Sequence, residues 1–168
     1  RDGAEVEAVL IPPLPDDDRN AGRRAANTRA RTTLCVSSQV GCAMGCAFCA
    51  TGRMGLRRRL STDEILAQVF AARAVARDAA LPPLANLVFM GMGEPADNAR
   101  AVRRATRALA DARRFGFGAR SVLVSTVAPD PGAFARLLLD DADDASPPPA
   151  IAWSLHAADA AVRRALVP

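Results

Sequence analysis

The 168-residue sequence has no tyrosine, one tryptophan and one histidine, His156. Lysine is also missing: every basic residue is arginine, and alanine occurs 37 times. Such a bias reflects a GC-rich coding sequence, so an isolated Arg or Ala carries little functional weight. No apolar run approaches the ~20 residues that a membrane span needs, and no secretory leader pattern opens the chain. Neither membrane insertion nor export is expected. Cysteine is scarce, with four in all, and these are Cys35, Cys42, Cys46 and Cys49.

Half of the residues are hydrophobic and 24% are charged, a globular composition that excludes wholesale disorder. The length fits one domain with ample core, and a start at Arg1 with a stop at Pro168 suggests a piece of a longer protein. The net charge of +4 is carried by residues 1–60. Its excess lies around Arg19, Arg23, Arg24, Arg29 and Arg31, then Arg53 and Arg57 to Arg59. A basic end of this kind suits a phosphate-rich partner, or is a solvated loop face.

The cysteines say more. A disulfide framework would suit a short secreted chain, which this is not; a tight cluster in a reducing compartment points to metal. The spacing Cys42-x3-Cys46-x2-Cys49 lacks the second CxxC pair of a structural zinc site, and His156 lies over a hundred residues away. Three thiolates on one loop can hold three irons of a 4Fe-4S cluster and leave the fourth open to a small molecule. Zinc and buried free thiols remain the alternatives.

Along the chain, residues 6–11 read as a strand stopped by Pro12-Pro13, and residues 33–38 as a second strand able to pair with it as a hairpin. The stretch 13–31 reads as loop, and Gly41, Gly45, Gly52 and Gly55 keep the cysteine segment irregular. Ser61-x-x-Glu64 has capping-box spacing and opens a helix to about Ala79, with Ile65, Leu66, Val69 and Phe70 as its apolar stripe. Strands follow at 84–90, 121–125 and 151–155. Helices are expected from Asn98 to Gly116 with Val102, Ala105 and Leu109 inward, at 131–139, and from Asp159; residues 140–149 form an acidic loop. Apolar strands alternating with helices indicate a parallel sheet covered by helices, here about four βα units of a partial α/β barrel. Ligands of such barrels gather at the carboxyl ends of strands. Cys42, Cys46 and Cys49 are expected after the first barrel strand, Gly93 and Glu94 after the second, Ser125 after the third, and Ser154 and His156 after the fourth.

The stretch from Cys35 to Gly52, CVSSQVGCAMGCAFCATG, resembles the radical S-adenosylmethionine enzymes that methylate adenine C2 in 23S rRNA and tRNA. So do Met90-Gly-Met-Gly-Glu-Pro95, Phe115-Gly-Phe-Gly118, Val124-Ser-Thr126, Trp153-Ser-Leu-His-Ala157 and Arg163 to Pro168. The resemblance covers nearly the whole chain. It implies a radical SAM core over 35–168, truncated at its C-terminus and preceded by a strand and loop over 1–34. It implies Cys42, Cys46 and Cys49 as ligands of the 4Fe-4S cluster, and Gly93, Glu94, Ser125, Ser154, Leu155 and His156 as groups that hold S-adenosyl-L-methionine. Glu94 suits the ammonium group of that cosubstrate. Cys35 matches a cysteine that resolves a covalent enzyme–RNA intermediate, and Glu7 a proton acceptor.

Methylation in this family runs through a methyl-cysteine. That cysteine, an Asn that contacts S-adenosylmethionine and an N-terminal RNA-binding domain all fall outside the 168 residues, so the chain alone is expected to be inactive. The implied partners are 23S rRNA, tRNA and an electron donor such as flavodoxin or ferredoxin. A cytoplasmic monomer is expected, or an organellar one in a eukaryote. A non-catalytic 4Fe-4S-binding fragment and a radical enzyme performing another RNA modification are the competing readings.

Overall fold

Strand β1 (Val9–Ile11) runs antiparallel to β2 (Thr32–Cys35), and β2 begins a set of four parallel strands. The computed structural model describes residues 2–13, 30–138 and 148–168. Among these, β5 (Leu84–Phe89), β6 (Val122–Thr126) and β7 (Ala150–Trp153) follow β2 in order across one five-stranded sheet, β1-β2-β5-β6-β7. The sheet is the expected parallel one, and it stays open, with Val9, Ile11 and Trp153 exposed on its edge strands. The expected loops at 13–31 and 140–149 lie largely outside the described residues.

Helices α2 (Thr62–Asp78), α3 (Ala99–Ala110) and α4 (Ala133–Leu138) bury one stripe each in the common core. Ile65 and Val69 of α2, Val102 and Leu109 of α3, and Leu137 of α4 are fully covered, as are Leu34, Leu87 and Val124 from the strands. Each such side chain contributes roughly 1.5–3 kcal/mol of transfer free energy. Ser61 caps α2 in a complete capping box: its hydroxyl accepts from the Glu64 N–H at 3.2 Å, and the Glu64 carboxylate accepts from the Ser61 N–H at 2.8 Å.

Several expectations need correction. Phe70 is not on the buried stripe of α2; it is 63% exposed and its ring meets that of Phe115 at 5.0 Å, while Gln68, Ala72 and Ala76 are buried instead. Helix α3 ends at Ala110 rather than running to Gly116, because residues 112–115 form a turn that Gly116 closes by donating its N–H to the Asp111 carbonyl. Asn98 does not cap α3 with its side chain. It ends a 3-10 turn (Pro95–Asn98), and its amide donates to the carbonyls of Ser38 and Leu60, both at 2.8 Å. The second strand stops at Cys35, and the cysteine segment is more regular than its glycines suggest. A separate hairpin of β3 (Gln39–Gly41) and β4 (Leu56–Arg59) brackets a single-turn helix α1 (Ala50–Arg53). The cysteines therefore follow β3, not the first barrel strand directly. Helix α5 (Ala160–Leu166) begins as expected, with the Asp159 carboxylate accepting from the N–H groups of Ala161 and Val162.

Candidate active site

All four parallel strands end on one side, with Gly93 and Glu94 after β5, Ser125 near the end of β6 and Ser154 to His156 after β7, while Cys42, Cys46 and Cys49 follow β3 of the separate hairpin. The platform is the segment Ser37-Ser38-Gln39, whose partner is Met92-Gly93-Glu94 after β5. Ser38 and Gln39 both donate their N–H to the Met92 carbonyl, at 2.8 and 3.1 Å, and the Ser37 hydroxyl accepts from the Met92 N–H at 2.8 Å. The Gln39 side-chain carbonyl accepts from the Glu94 N–H at 2.9 Å. Gly93 has φ of 102°, and a Cβ there would stand 2.6 Å from that of Gln39, so only glycine lets the two segments meet this closely. Gln68 of α2 grips the platform from below, accepting from the Ser37 N–H at 2.8 Å and donating to its carbonyl at 2.9 Å.

Glu94 is 3% exposed yet has no basic partner within ion-pair distance among the described residues. Three donors hold its carboxylate: Ala96 N–H and the Thr126 hydroxyl on Oε1, and Val127 N–H on Oε2. A carboxylate has about four acceptor sites, which leaves one on Oε2 for a further donor. Ser125 of β6 and Ser154, the first residue after the adjacent β7, share a hydrogen bond of 2.7 Å. The Gln39 Nε2 and Ser38 Oγ atoms are buried without partners beside this arrangement.

The cysteine loop meets the end of β7. Phe48, between Cys46 and Cys49, packs against His156 with ring centroids 4.6 Å apart and planes tilted by 46°, and the Ala47 N–H donates to the Leu166 carbonyl of α5 at 2.9 Å. Leu155 and His156 are exposed, and Ser154 is half-buried. Cys42 and Cys46 are buried, with Cys49 half-buried. Burial pushes the Cys42 and Cys46 thiols up; the charges of Cys46, Glu94 and Cys49 add to the rise at Cys42, and those of Cys49 and Glu94 to the rise at Cys46, where Arg163 opposes it. The three thiols and Glu94 thus share one neighbourhood.

These residues fit a 4Fe-4S cluster. The loop carries three cysteine thiols, those of Cys42, Cys46 and Cys49, and thiolate is the donor that the irons of such a cluster take, one iron to each ligand. Binding iron would deprotonate the thiols, against the burial that raises those of Cys42 and Cys46.

Cys35 and Glu7 sit together on the neighbouring β1–β2 side. Burial raises the Cys35 thiol first, the Met90 N–H opposes this, and the Glu7 charge adds to the rise. The Ser37 hydroxyl donates to the Glu7 carbonyl at 2.6 Å, which ties the β1 approach to the platform.

Ser37, Gln39, Gln68, Thr126 and Arg163 escaped the sequence reading as site residues. Four lie in or beside the recognised motifs, but nothing in a motif says which letter touches which. Gln68 gave one usable signal, a polar residue on the inward face of an apolar helix.

An α/β chain that gathers a three-cysteine loop and strand-end polar groups at one face of a parallel sheet has the build of a radical enzyme core. The chain belongs to the Radical SAM superfamily, whose profile matches residues 36–167 and whose members use a 4Fe-4S cluster and S-adenosylmethionine. A crystal structure of a radical SAM methyltransferase from Sphaerobacter thermophilus superposes with a TM-score of 0.72 at 40% identity, covering 95% of this chain and 49% of that one. A "Probable RNA methyltransferase" of Sorangium cellulosum is 53% identical over 75% of the chain, which spans 28% of that relative. The "Probable dual-specificity RNA methyltransferase RlmN" of Acidothermus cellulolyticus is 48% identical over 99% of the chain and 40% of its own length. The "Dual-specificity RNA methyltransferase RlmN" of Syntrophobacter fumaroxidans is 43% identical over 100% and 42% respectively. The chain thus spans less than half the length of these relatives.

Proposed function

We propose that the chain is the catalytic core of a radical SAM RNA methyltransferase acting on adenine C2 of 23S rRNA and tRNA. The observation that carries this is the contact of the Cys42–Cys49 loop with the Ser154–His156 turn, through Phe48 and His156, beside the buried Glu94. The RNA methyltransferase names of the relatives supply the substrate class.

Cys42, Cys46 and Cys49 would hold three irons of the cluster. Such a cluster, together with S-adenosylmethionine, would supply a reductively generated radical, which adenine C2–H requires because it is neither acidic nor nucleophilic. Glu94, with an acceptor site left on Oε2, would take the ammonium of the cosubstrate, and Gly93 lets backbone approach it. The Ser125–Ser154 hydroxyl pair can turn a donor outward, and Leu155 and His156 would flank the ligand. Cys35, whose thiol burial raises and the nearby Glu7 charge raises further, would be the thiol that resolves the covalent enzyme–RNA intermediate, and Glu7 would serve as a proton acceptor.

RNA, and an electron donor of the flavodoxin or ferredoxin type, are the partners of this reading. No described helix is long and apolar enough to cross a membrane; the setting we propose is the cytoplasm, as a monomer.

The test uses the protein from its complete open reading frame, reconstituted anaerobically with iron and sulfide and given reductant, S-adenosylmethionine and 23S rRNA. Mass spectrometry of the digested RNA is expected to show 2-methyladenosine. A reduced cluster that cleaves S-adenosylmethionine but leaves rRNA and tRNA unmethylated would overturn the substrate assignment.

A further inference from the structure

The turn after β7 is backbone-strained. The Leu155 N–H bonds to the Trp153 carbonyl at 3.0 Å and the Ala157 N–H to the Leu155 carbonyl at 2.8 Å, so two three-residue turns follow each other. His156, the centre of the second, has φ of 61°. A three-residue turn with positive φ at a non-glycine centre persists only where its surroundings over-determine it. Phe48 supplies one constraint. The Ser154 N–H bond to the Thr126 carbonyl at 2.8 Å pins the start of the turn, and Arg163 supplies a further constraint.

The Arg163 guanidinium donates through Nη1 to the Leu155 carbonyl at 2.8 Å and through Nη2 to the Val127 carbonyl. Its carbon also lies 5.8 Å from the Trp153 ring centre. Val127 is the residue whose N–H bonds to Glu94 Oε2 at 3.0 Å. One planar fork therefore fixes the Ser154–His156 turn at the end of β7 and the loop leaving β6 that holds Glu94. Helix α5, which carries Arg163, has no buried residue, so these bonds contribute little to the core.

We propose that Arg163 is a positioning residue for S-adenosylmethionine, setting the Ser154–His156 turn against Glu94 without touching the ligand. This rests on the assignment of Glu94, Ser154, Leu155 and His156 to that ligand made above. An arginine suits the task because its rigid fork reaches two carbonyls on two strands at once; a lysine ammonium is a point charge that satisfies one well.

The experiment compares wild type, Arg163→Ala and Arg163→Lys, each from the complete open reading frame and anaerobically reconstituted. S-adenosylmethionine is titrated into the reduced protein and the change in the cluster's electron paramagnetic resonance spectrum is followed, beside iron and sulfide content. Iron content is expected to stay at the wild-type level. The half-saturating concentration is expected to rise about ten- to hundredfold in Arg163→Ala, the loss typical of hydrogen bonds from a charged group, and by less in Arg163→Lys. Should Arg163→Ala fail to fold, Arg163→Lys decides: wild-type iron with a raised requirement supports the proposal. A requirement within about twofold of wild type in Arg163→Lys, and in Arg163→Ala where it folds, overturns it. A wild type whose spectrum ignores S-adenosylmethionine would instead sink the assignment of the site itself.

Discussion

The carboxylate of Glu94 and the hydroxyl of Thr126, 32 residues apart in sequence, are hydrogen-bonded across the ends of neighbouring strands. Thr126 is 1% exposed, so no water substitutes for its hydroxyl. Thr126→Val keeps the shape and removes the donor. It is expected to cost about 1.5–3 kcal/mol, the range for a bond to a charged group. At roughly 2–4 °C per kcal/mol the unfolding midpoint should fall by several degrees, while Thr126→Ser should recover most of the loss. Equal midpoints for Thr126→Val and wild type in calorimetry would show that Glu94 does not depend on this donor.

Gly93→Ala should be far more damaging than an ordinary glycine substitution. The new Cβ would meet the Gln39 side chain at 2.6 Å and its backbone nitrogen at 2.8 Å, and φ is 102°. Gly118 is the control, with φ of −61° and a nearest neighbour, Ser121 Oγ, 3.5 Å away. Gly118→Ala should leave the melting temperature within a few degrees of wild type or raise it, because the chain loses unfolded-state freedom there at little native cost. Gly93→Ala is expected to lower it well beyond that.

Replacing Cys42, Cys46 or Cys49 by alanine should each abolish the cluster, read as iron and acid-labile sulfide after anaerobic reconstitution. Cys35→Ala should retain both, since Cys35 lies at the end of β2 outside the cysteine loop. Full iron loss in Cys35→Ala would make Cys35 a ligand. Stoichiometric zinc without sulfide in wild type would remove the cluster altogether.

The Arg58 guanidinium, bonded to Glu64 at 2.9 and 3.0 Å, holds that carboxyl below the usual range, with the Ser61 N–H assisting. A depressed carboxyl stabilises the fold above the unfolded value of ~4.3, and this contribution is lost as pH falls through the lower folded value. Glu64→Gln keeps the shape of the capping box and loses the charge. Its melting temperature should fall below wild type near neutral pH, and the two curves should converge as pH falls through the depressed folded value of the Glu64 carboxyl. The side chain is 43% exposed, so the gap will be small and will shrink with added salt. A gap unchanged at low pH would assign it to the cap alone.

Much of the fold was legible because its signals are local. The capping box at Ser61 and Glu64 defines where α2 begins, and Val102, Ala105 and Leu109 mark the buried stripe of α3 by their spacing alone. Phe70 misled because a hydrophobic residue near an apolar stripe does not reveal whether another element covers it; Phe115 meets only one side. Hairpin β3–β4 was missed because its strands are three and four residues long and rich in Arg, Gly and Gln, with no alternation to betray them. Asn98 misled for a different reason. Its residue type suits a helix cap, but two carbonyls from elsewhere in the chain, those of Ser38 and Leu60, take its amide.

The sequence by itself determined the chemistry: three closely spaced thiols, a strand-end glutamate and a parallel alternation of apolar strands and helices follow from residue type and spacing. Only the tertiary structure decided which groups cooperate. That Gln39 faces Gly93, that Ser125 meets Ser154, and that Arg163 joins the loops of Val127 and Leu155 depends on strand order and register. Parallel strands reach their neighbours through long crossovers. The atoms that meet at their ends are therefore tens of residues apart, and no local pattern records the pairing.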